Sequence, residues 1–183
     1  MSETLPPLWS VEVLADGEPE IGRWLWAIED VRSRTLEALA GIDQPLLDWT
    51  PPPGGNSIGT LLYHIAAIEL DWLAVEVLEE QPQPWTKEVA ELFAVDVRNK
   101  EGQLTPIAGR PVADHLVRFN VVRQRLLEAF RAMPLEEFRR PRHLPDYRVT
   151  PEWVLYHLIQ HEAEHQGQVQ LLRTWAEQAR ENV

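Results

Sequence analysis

The stretch that organises this chain is residues 154–168, which read VLYHLIQHEAEHQGQ. At about 100° per residue, His157, His161 and His165 fall on one face of a helix. Val154 and Leu158 share that face, so the histidines belong to the side that packs inward. A buried imidazole needs a hydrogen-bond partner or a metal ion, and two rings one turn apart can bind one ion through both Nε2 atoms. The stretch therefore predicts a metal site on a helix.

Two histidines do not complete a metal site, because a zinc-like ion needs at least a third protein ligand. His64 is the best candidate, since it lies among the apolar positions of an earlier predicted helix, between Leu61 and Ile68. Facing positions of two helices meet across the core of a bundle. The chain contains no cysteine, so nitrogen and oxygen must supply all ligands. We therefore predict that His64, His161 and His165 hold the ion.

The other histidines are less clearly assigned by the sequence. His157 lies one turn before His161, and three roles stay open for it: a fourth ligand, a residue that orients a ligand, or a wall of the pocket. His115 and His143 have no comparable partner in the sequence, and we interpret both as surface or structural residues.

Helical spacing of apolar residues predicts four long helices, separated by proline and glycine. A shorter helix is predicted near residues 88–95, and no stretch has the alternation of a β-strand. The fold class is therefore all-α, a four-helix bundle with long loops between helices one and two and between helices two and three. We expect one domain over residues 1–183, with residues 1–17 as an irregular arm. The four helices are predicted at residues 18–39, 57–80, 111–133 and 151–182.

The charge of the chain limits its partners. With 17 basic and 29 acidic residues, the net charge is −12, which disfavours nucleic acid and anionic membrane surfaces. The N-terminal residues lack the basic start of a signal peptide, and we expect no apolar run approaching ~18 residues. The sequence therefore predicts a soluble cytoplasmic protein that acts on a small molecule.

Residues 161–165 also match the H-E-x-x-H pattern of zinc proteases, in which the glutamate is the general base. A protease of that type needs a further ligand downstream, and Gly167 lies one place too early for the extended motif. Glu162 to His165 also fits one Glu-x-x-His motif of a di-iron bundle, but the second motif is missing. The sequence therefore disfavours both classes.

Two separated blocks resemble the DinB/YfiT-like superfamily of metalloenzymes. The first is SIGTLLYHIAAIE at residues 57–69, preceded by Trp49-Thr50-Pro51, and the second is the stretch at residues 154–168. The blocks occur in the order typical of the family, and the resemblance spans nearly the whole chain. Family members often carry arginine where this chain has Gln166, a change that leaves the three histidines intact.

The resemblance implies a four-helix bundle and a divalent metal, typically zinc or nickel, held by His64, His161 and His165. It also implies frequent homodimers and, in several members, S-transferase or isomerase activity with a low-molecular-weight thiol. A three-histidine site leaves room for a thiol, which a metal ion would deprotonate.

Two classes of function remain. The first is a metal-dependent enzyme, with a thiol-dependent transferase as the best candidate and a hydrolase that activates water as the second. For the hydrolase, Glu69 and Glu162 are the candidate bases. The second class is a non-catalytic bundle that binds a metal or an apolar ligand, which a closed shell completed by His157 would favour.

Overall fold

The structure is a computed structural model that describes residues 8–14, 17–80 and 86–181. It is mostly helical, which confirms the all-α class. The helix α3 continues without interruption into a π-helical turn. The elements are α1 (Pro19–Ala38), α2 (Gln44–Leu47), α3 (Ile58–Trp72), the π-helical turn (Leu73–Val77), α4 (Lys87–Leu92), α5 (Val112–Arg131), α6 (Leu135–Arg139), β1 (Arg142–His143), β2 (Arg148–Val149) and α7 (Pro151–Glu181).

Local sequence signals explain where the long helices begin. The Ser57 side chain accepts a hydrogen bond from the Thr60 amide at 3.1 Å and caps α3. Proline occupies the first position of α1 and of α7, where its missing N–H costs no helical hydrogen bond. Gly167 does not interrupt α7, because a helix tolerates one glycine at a cost of about 1 kcal/mol.

The four long helices contact one another in a ring, in which α1 packs on α5 and α7, and α3 also packs on α5 and α7. The core between them consists of two apolar clusters. One cluster contains Leu25, Ile28 and Leu158, and the other contains Leu62, Ile65 and Phe119. A layer of buried charged side chains lies between the two clusters along each helix.

Several short elements lie where the sequence analysis expected loops. The helix α2 forms inside the proline-rich connection because the Asp43 side chain accepts a hydrogen bond from the Leu46 amide at 2.9 Å. The strands β1 and β2 pair as an antiparallel hairpin of two residues each, which is too short to show alternation in the sequence. The helix α4 confirms the short helix expected near residues 88–95. Pro82 and Pro84 follow the predicted second helix, which the sequence therefore predicts to end before them, and both lie outside the described residues.

The described part of the N-terminal arm, residues 8–14, has no regular secondary structure. Its end packs against α1, where the Leu14 amide donates to the Gly22 carbonyl at 3.1 Å. A Cβ atom at Gly22 would lie 2.6 Å from a Val13 methyl group and 2.9 Å from the Leu14 carbonyl oxygen. The arm can therefore lie this close to α1 because residue 22 is glycine.

The segment Ile58–Val77 is the one candidate membrane span among the described residues, with a mean hydropathy of 1.4. The expectation that no apolar run has this length was therefore wrong. Inside the protein, 78% of the segment's most apolar window is buried. Such burial is typical of a core helix, whose apolar residues pack against neighbouring helices.

Candidate metal centre

Three histidines from two helices converge beside the core, as the sequence predicted. His64 lies on α3, and His161 and His165 lie one turn apart on α7. The Nε2 atom of His161 lies 3.0 Å from that of His64 and 3.2 Å from that of His165. Tetrahedral ligands at about 2.0–2.1 Å from a zinc ion are separated by about 3.3 Å. These three residues, called the histidine triad from here on, therefore have a spacing that fits one divalent ion.

The protonation of the triad also suits a metal. Burial lowers the pKa of His64 to about 4, and the charges of His165 and Arg98 add to the effect. Burial lowers the pKa of His161 to about 3, with a further contribution from His165 and His64. Both rings are therefore neutral at pH 7 and can present a lone pair to a cation.

A residue without an assigned role in the sequence analysis orients one ligand. The Nδ1 atom of His165 lies 2.9 Å from the Oε1 atom of Gln168. An amide oxygen only accepts hydrogen bonds, so Nδ1 carries the proton and Nε2 keeps the lone pair that faces the other rings. The spacing of three residues on a helix was the available signal, because such residues are neighbours on its surface.

His157 is a wall of the site in this structure. Its ring stacks on Trp153, with centroids 5.1 Å apart and planes 8° apart, and lies 4.4 Å from the Trp72 ring. The His157 and His161 centroids are 5.9 Å apart, and the metal-ligand cluster of the described residues does not include His157. The aromatic contacts therefore hold the His157 ring at the wall of the site and outside the ligand cluster.

The histidine triad lines an open cavity of about 370 Å³. Two residues of the connection between α4 and α5, Arg98 and Leu104, close one side of it. They pair with each other in an isolated antiparallel β-bridge, which brings both side chains to the same edge. The sequence does not indicate either residue, because the pairing of an irregular connection leaves no periodic signal.

The two carboxylates considered as catalytic bases are held in ion pairs instead. Glu69 accepts hydrogen bonds from Arg123 at 2.8 Å and from Arg32 at 2.7 Å. Glu162 accepts from Arg32 at 2.6 Å and from Arg123 at 3.0 Å. All four side chains are buried. We call Arg32, Glu69, Arg123 and Glu162 the charged quartet; each of the four long helices contributes one member.

The quartet shows the surroundings of Glu69 and Glu162, the two candidate bases. Burial alone would raise the pKa of Glu69, but the charges of Arg123 and Arg32 hold it below its ordinary value. Glu162 follows His161 directly, and one residue turns a helix by about 100°, so its side chain points into the core rather than toward the cavity. Both carboxylates are therefore paired inside the core, and their role as bases stays a prediction.

The remaining histidines lie apart from the triad. His143 is exposed on β1. His115 on α5 is 1% exposed, and burial, together with the charge of Arg118, lowers its pKa to about 4. Neither ring nitrogen of His115 has a hydrogen-bond partner among the described residues. The interpretation of His115 as structural fits this burial, whereas a surface position does not.

The fold and the site define an all-α protein whose core helices carry a three-histidine cluster able to hold a divalent metal ion. The sequence profile of the DinB superfamily matches residues 27–169. The chain belongs to the DinB superfamily.

A solved structure supports the same fold. The chain is similar to the crystal structure of a conserved protein from Enterococcus faecalis, with a TM-score of 0.65 and 16% sequence identity over 87% of this chain and 96% of that chain. At this identity, the likeness shows the fold alone. A comparison with curated proteins finds no match.

Proposed function

We propose that this protein is a divalent-metal-dependent enzyme that transfers a low-molecular-weight thiol to an electrophilic substrate. His64, His161 and His165 would hold the ion, with zinc or nickel as the metals that suit imidazole ligands. The observation that carries the proposal is the convergence of three ring nitrogens at the wall of an open cavity. Three protein ligands with a free position are typical of catalytic zinc sites, whereas structural sites have four.

The chain's own residues would prepare the site for a thiol. The low pKa values of His64 and His161 keep both rings neutral, and Gln168 fixes the ring of His165. A divalent ion bound there lowers the pKa of a thiol that reaches it, so that thiolate is present at neutral pH. Trp72 and His157 shield one side of the cavity from water.

In the proposed transfer, the thiol sulfur is the nucleophile. The thiol loses its proton to solvent, and its sulfur donates an electron pair to an electrophilic carbon of the substrate. The leaving group departs with the pair of the bond that breaks. No protein carboxylate is needed as a base in this step, which agrees with the pairing of Glu69 and Glu162 with arginines. That pairing disfavours only the hydrolase in which Glu69 or Glu162 takes a proton from water.

Metal analysis and a spectroscopic titration test this proposal. Protein purified without a tag should contain about one divalent ion per chain, and the cobalt-substituted protein should change its visible spectrum when a small thiol is added. Replacement of His64 by alanine should abolish both results. An unchanged spectrum at saturating thiol would exclude thiol ligation and leave the metal-dependent hydrolase as the better function.

Further expectations from the resemblance belong to the same proposal. We infer that the ring of four helices is a four-helix bundle and that the protein is a cytoplasmic homodimer acting on a small molecule. The acidic net charge of −12 supports the absence of nucleic-acid and anionic-membrane partners. Light scattering coupled to size-exclusion chromatography tests the dimer, and a mass of about one chain would contradict it.

A further inference from the structure

The charge around the site differs from the charge of the whole protein. The cavity at the histidine triad adjoins a second cavity of about 680 Å³, and Trp72 lines both. Among the described residues, the two linings contain Arg98 and Arg148 and no aspartate or glutamate. The chain as a whole has 29 acidic and 17 basic residues. The charges of Glu76, Asp71 and Asp146 act on Tyr147 at the second cavity, so an anionic group is favoured beside Arg98 at the triad cavity and not in the second cavity.

Arg98 is placed to bind such a ligand beside the triad. Its Nη1 atom donates a hydrogen bond to the Gly102 carbonyl at 2.8 Å, which holds the guanidinium at the cavity edge. A guanidinium has five N–H donors, so others remain for a ligand. None of the ion pairs between described residues involves Arg98. Two parallel donors of an arginine match the two oxygens of a carboxylate.

The second cavity is suited to an apolar group. Its lining includes Trp72, Tyr147 and Trp153, and the Trp72 and Trp153 ring centroids are 5.5 Å apart. The Tyr147 hydroxyl donates to Glu76 at 2.6 Å, so the tyrosine ring is fixed at the cavity wall. Trp153 is 45% exposed despite its size. The volume lies within the range of about 300–1,000 Å³ that is typical of small-molecule pockets.

We propose that the substrate is a small carboxylate with an apolar, aromatic-sized body. Its carboxylate binds Arg98 beside the histidine triad, and its body occupies the cavity between Trp72, Tyr147 and Trp153. This assignment rests on the proposed function, since it names the substrate class of that site. Another cavity of about 510 Å³ also borders Arg98, but Asp71 and Asp96 line it and would repel an acid.

Calorimetric titration of the metal-free protein tests the assignment without measuring activity. The probes are 4-phenylbutyrate, the uncharged 4-phenylbutanol and butyrate, which lacks the ring. We expect 4-phenylbutyrate to bind at least about tenfold more tightly than either of the others, because only it uses both the arginine and the aromatic cavity.

Two pairs of variants separate the two contacts. Arg98→Gln should weaken 4-phenylbutyrate about tenfold, whereas Lys100→Gln removes the same charge two residues away and should change affinity less than twofold. Trp153→Ala should weaken the binding of 4-phenylbutyrate about fivefold. Trp175→Ala removes an equally exposed tryptophan from the far end of α7 and should leave the affinity unchanged. Trp153→Leu serves as the second variant if circular dichroism shows that Trp153→Ala does not fold.

Each outcome decides the assignment. Equal binding of the acid and the alcohol, an equal effect of the Arg98 and Lys100 variants, or no effect at Trp153 would overturn it. The proposed function fails separately: if the protein binds no divalent ion but retains selective binding of 4-phenylbutyrate, the site binds this class of ligand but does not perform the proposed transfer. If metal and thiol bind as proposed and the acid does not, only the substrate class is wrong.

Discussion

The charged quartet and the histidine triad lie on the same core helices but differ in how their polar groups are satisfied. In the quartet, both oxygens of Glu69 and both oxygens of Glu162 accept hydrogen bonds from arginines. In the triad, the buried Nδ1 atom of His64 has no partner among the described residues. Its Nε2 atom faces that of His161 at 3.0 Å. One cluster is complete within the chain, whereas the other has lone pairs directed at a common point.

This difference indicates which buried polar residues stabilise the fold and which are available to bind a metal ion. Both carboxylates of the quartet are paired with arginines, so the quartet offers no free base. The triad contains no carboxylate that could pair with its rings, and its converging ring nitrogens need a cation or shared protons. We therefore expect changes in the quartet to reduce stability and changes in the triad to reduce metal binding.

The largest expected effect is loss of stability from Arg123→Met. The variant leaves Glu69 and Glu162 buried with one arginine between them, and breaking a buried ion pair in this way costs about 3–5 kcal/mol. Urea denaturation measures the change in the free energy of unfolding. Arg34→Met, which removes an exposed partner of Asp30 on α1, is the control. If Arg123→Met lowers the free energy of unfolding no more than the control does, the quartet does not stabilise the fold as proposed.

Unlike Arg123→Met, His161→Ala should reduce metal binding more than it reduces stability. The protein should lose its metal and remain folded, because the core clusters do not depend on the ion. If the metal is present at a hundred times its Kd, a chelator should destabilise the unmodified protein by about 2.7 kcal/mol and the variant not at all. The exposed His143 provides the matched control, His143→Ala. Unfolding of the metal-free protein, or full metal content in His161→Ala, would contradict this expectation.

His115 tests whether an unpartnered buried imidazole alone indicates function. Its pKa is lowered to about 4, first by burial and then by Arg118. The unfolded chain therefore binds more protons than the folded one between pH 4 and about 6.5, and stability falls as the pH falls through that window. His115→Leu should reduce this fall by about 2 kcal/mol, estimated at about 1.4 kcal/mol per pKa unit and discounted for screening.

The metal content and the pH dependence of stability together test whether His115 has only a structural role. The lowered pKa values of His64 and His161 also make stability fall as the pH falls. Part of the pH dependence of stability should therefore persist in His115→Leu. Thermal melts of the chelated protein from pH 7 to pH 4 measure it. Reduced metal content in this variant would show that the site extends beyond the triad.

The smallest expected effect belongs to Gln168→Ala. The ring of His165 loses the acceptor that fixes its tautomer, and such outer contacts contribute at least about tenfold to metal affinity. Competition with a chromophoric chelator measures the change. Gln160→Ala, which removes a contact to Glu164 on the same helix, should leave affinity unchanged. Equal effects of the two variants would mean that His165 is oriented by packing alone.

The sequence predicts the triad better than the quartet for a physical reason. Spacing of four residues on a helix places His161 and His165 together whatever the rest of the fold does. Ion pairs between different helices depend on how the helices pack, which spacing within one helix does not contain. A signal was nevertheless present, because each charge of the quartet occupies an inward position. Each charged residue of the quartet comes four positions after a buried apolar residue. These apolar residues are Ile28, Ile65, Phe119 and Leu158.

The connections were the least predictable part of the chain. Arg98 and Leu104 reach the site through a single β-bridge, and β1 and β2 are two residues long. Neither the connection that carries Arg98 and Leu104 nor the β1–β2 hairpin has a hydrophobic period that a sequence pattern can reveal. The four helices and their apolar faces were predictable because burial repeats along each of them.

The π-helical turn Leu73–Val77 determines where α3 can change in length. A π turn closes its hydrogen bond over five residues instead of four, as the 3.0 Å bond from the Leu78 amide to the Leu73 carbonyl shows. Deleting one residue inside this turn converts it to an ordinary turn and leaves His64 and Glu69 in place. Deleting one residue between His64 and Glu69 would rotate the two side chains by about 100° relative to each other. The segment is thus the point at which the helix can absorb a one-residue deletion while the spacing between the triad and the quartet is preserved.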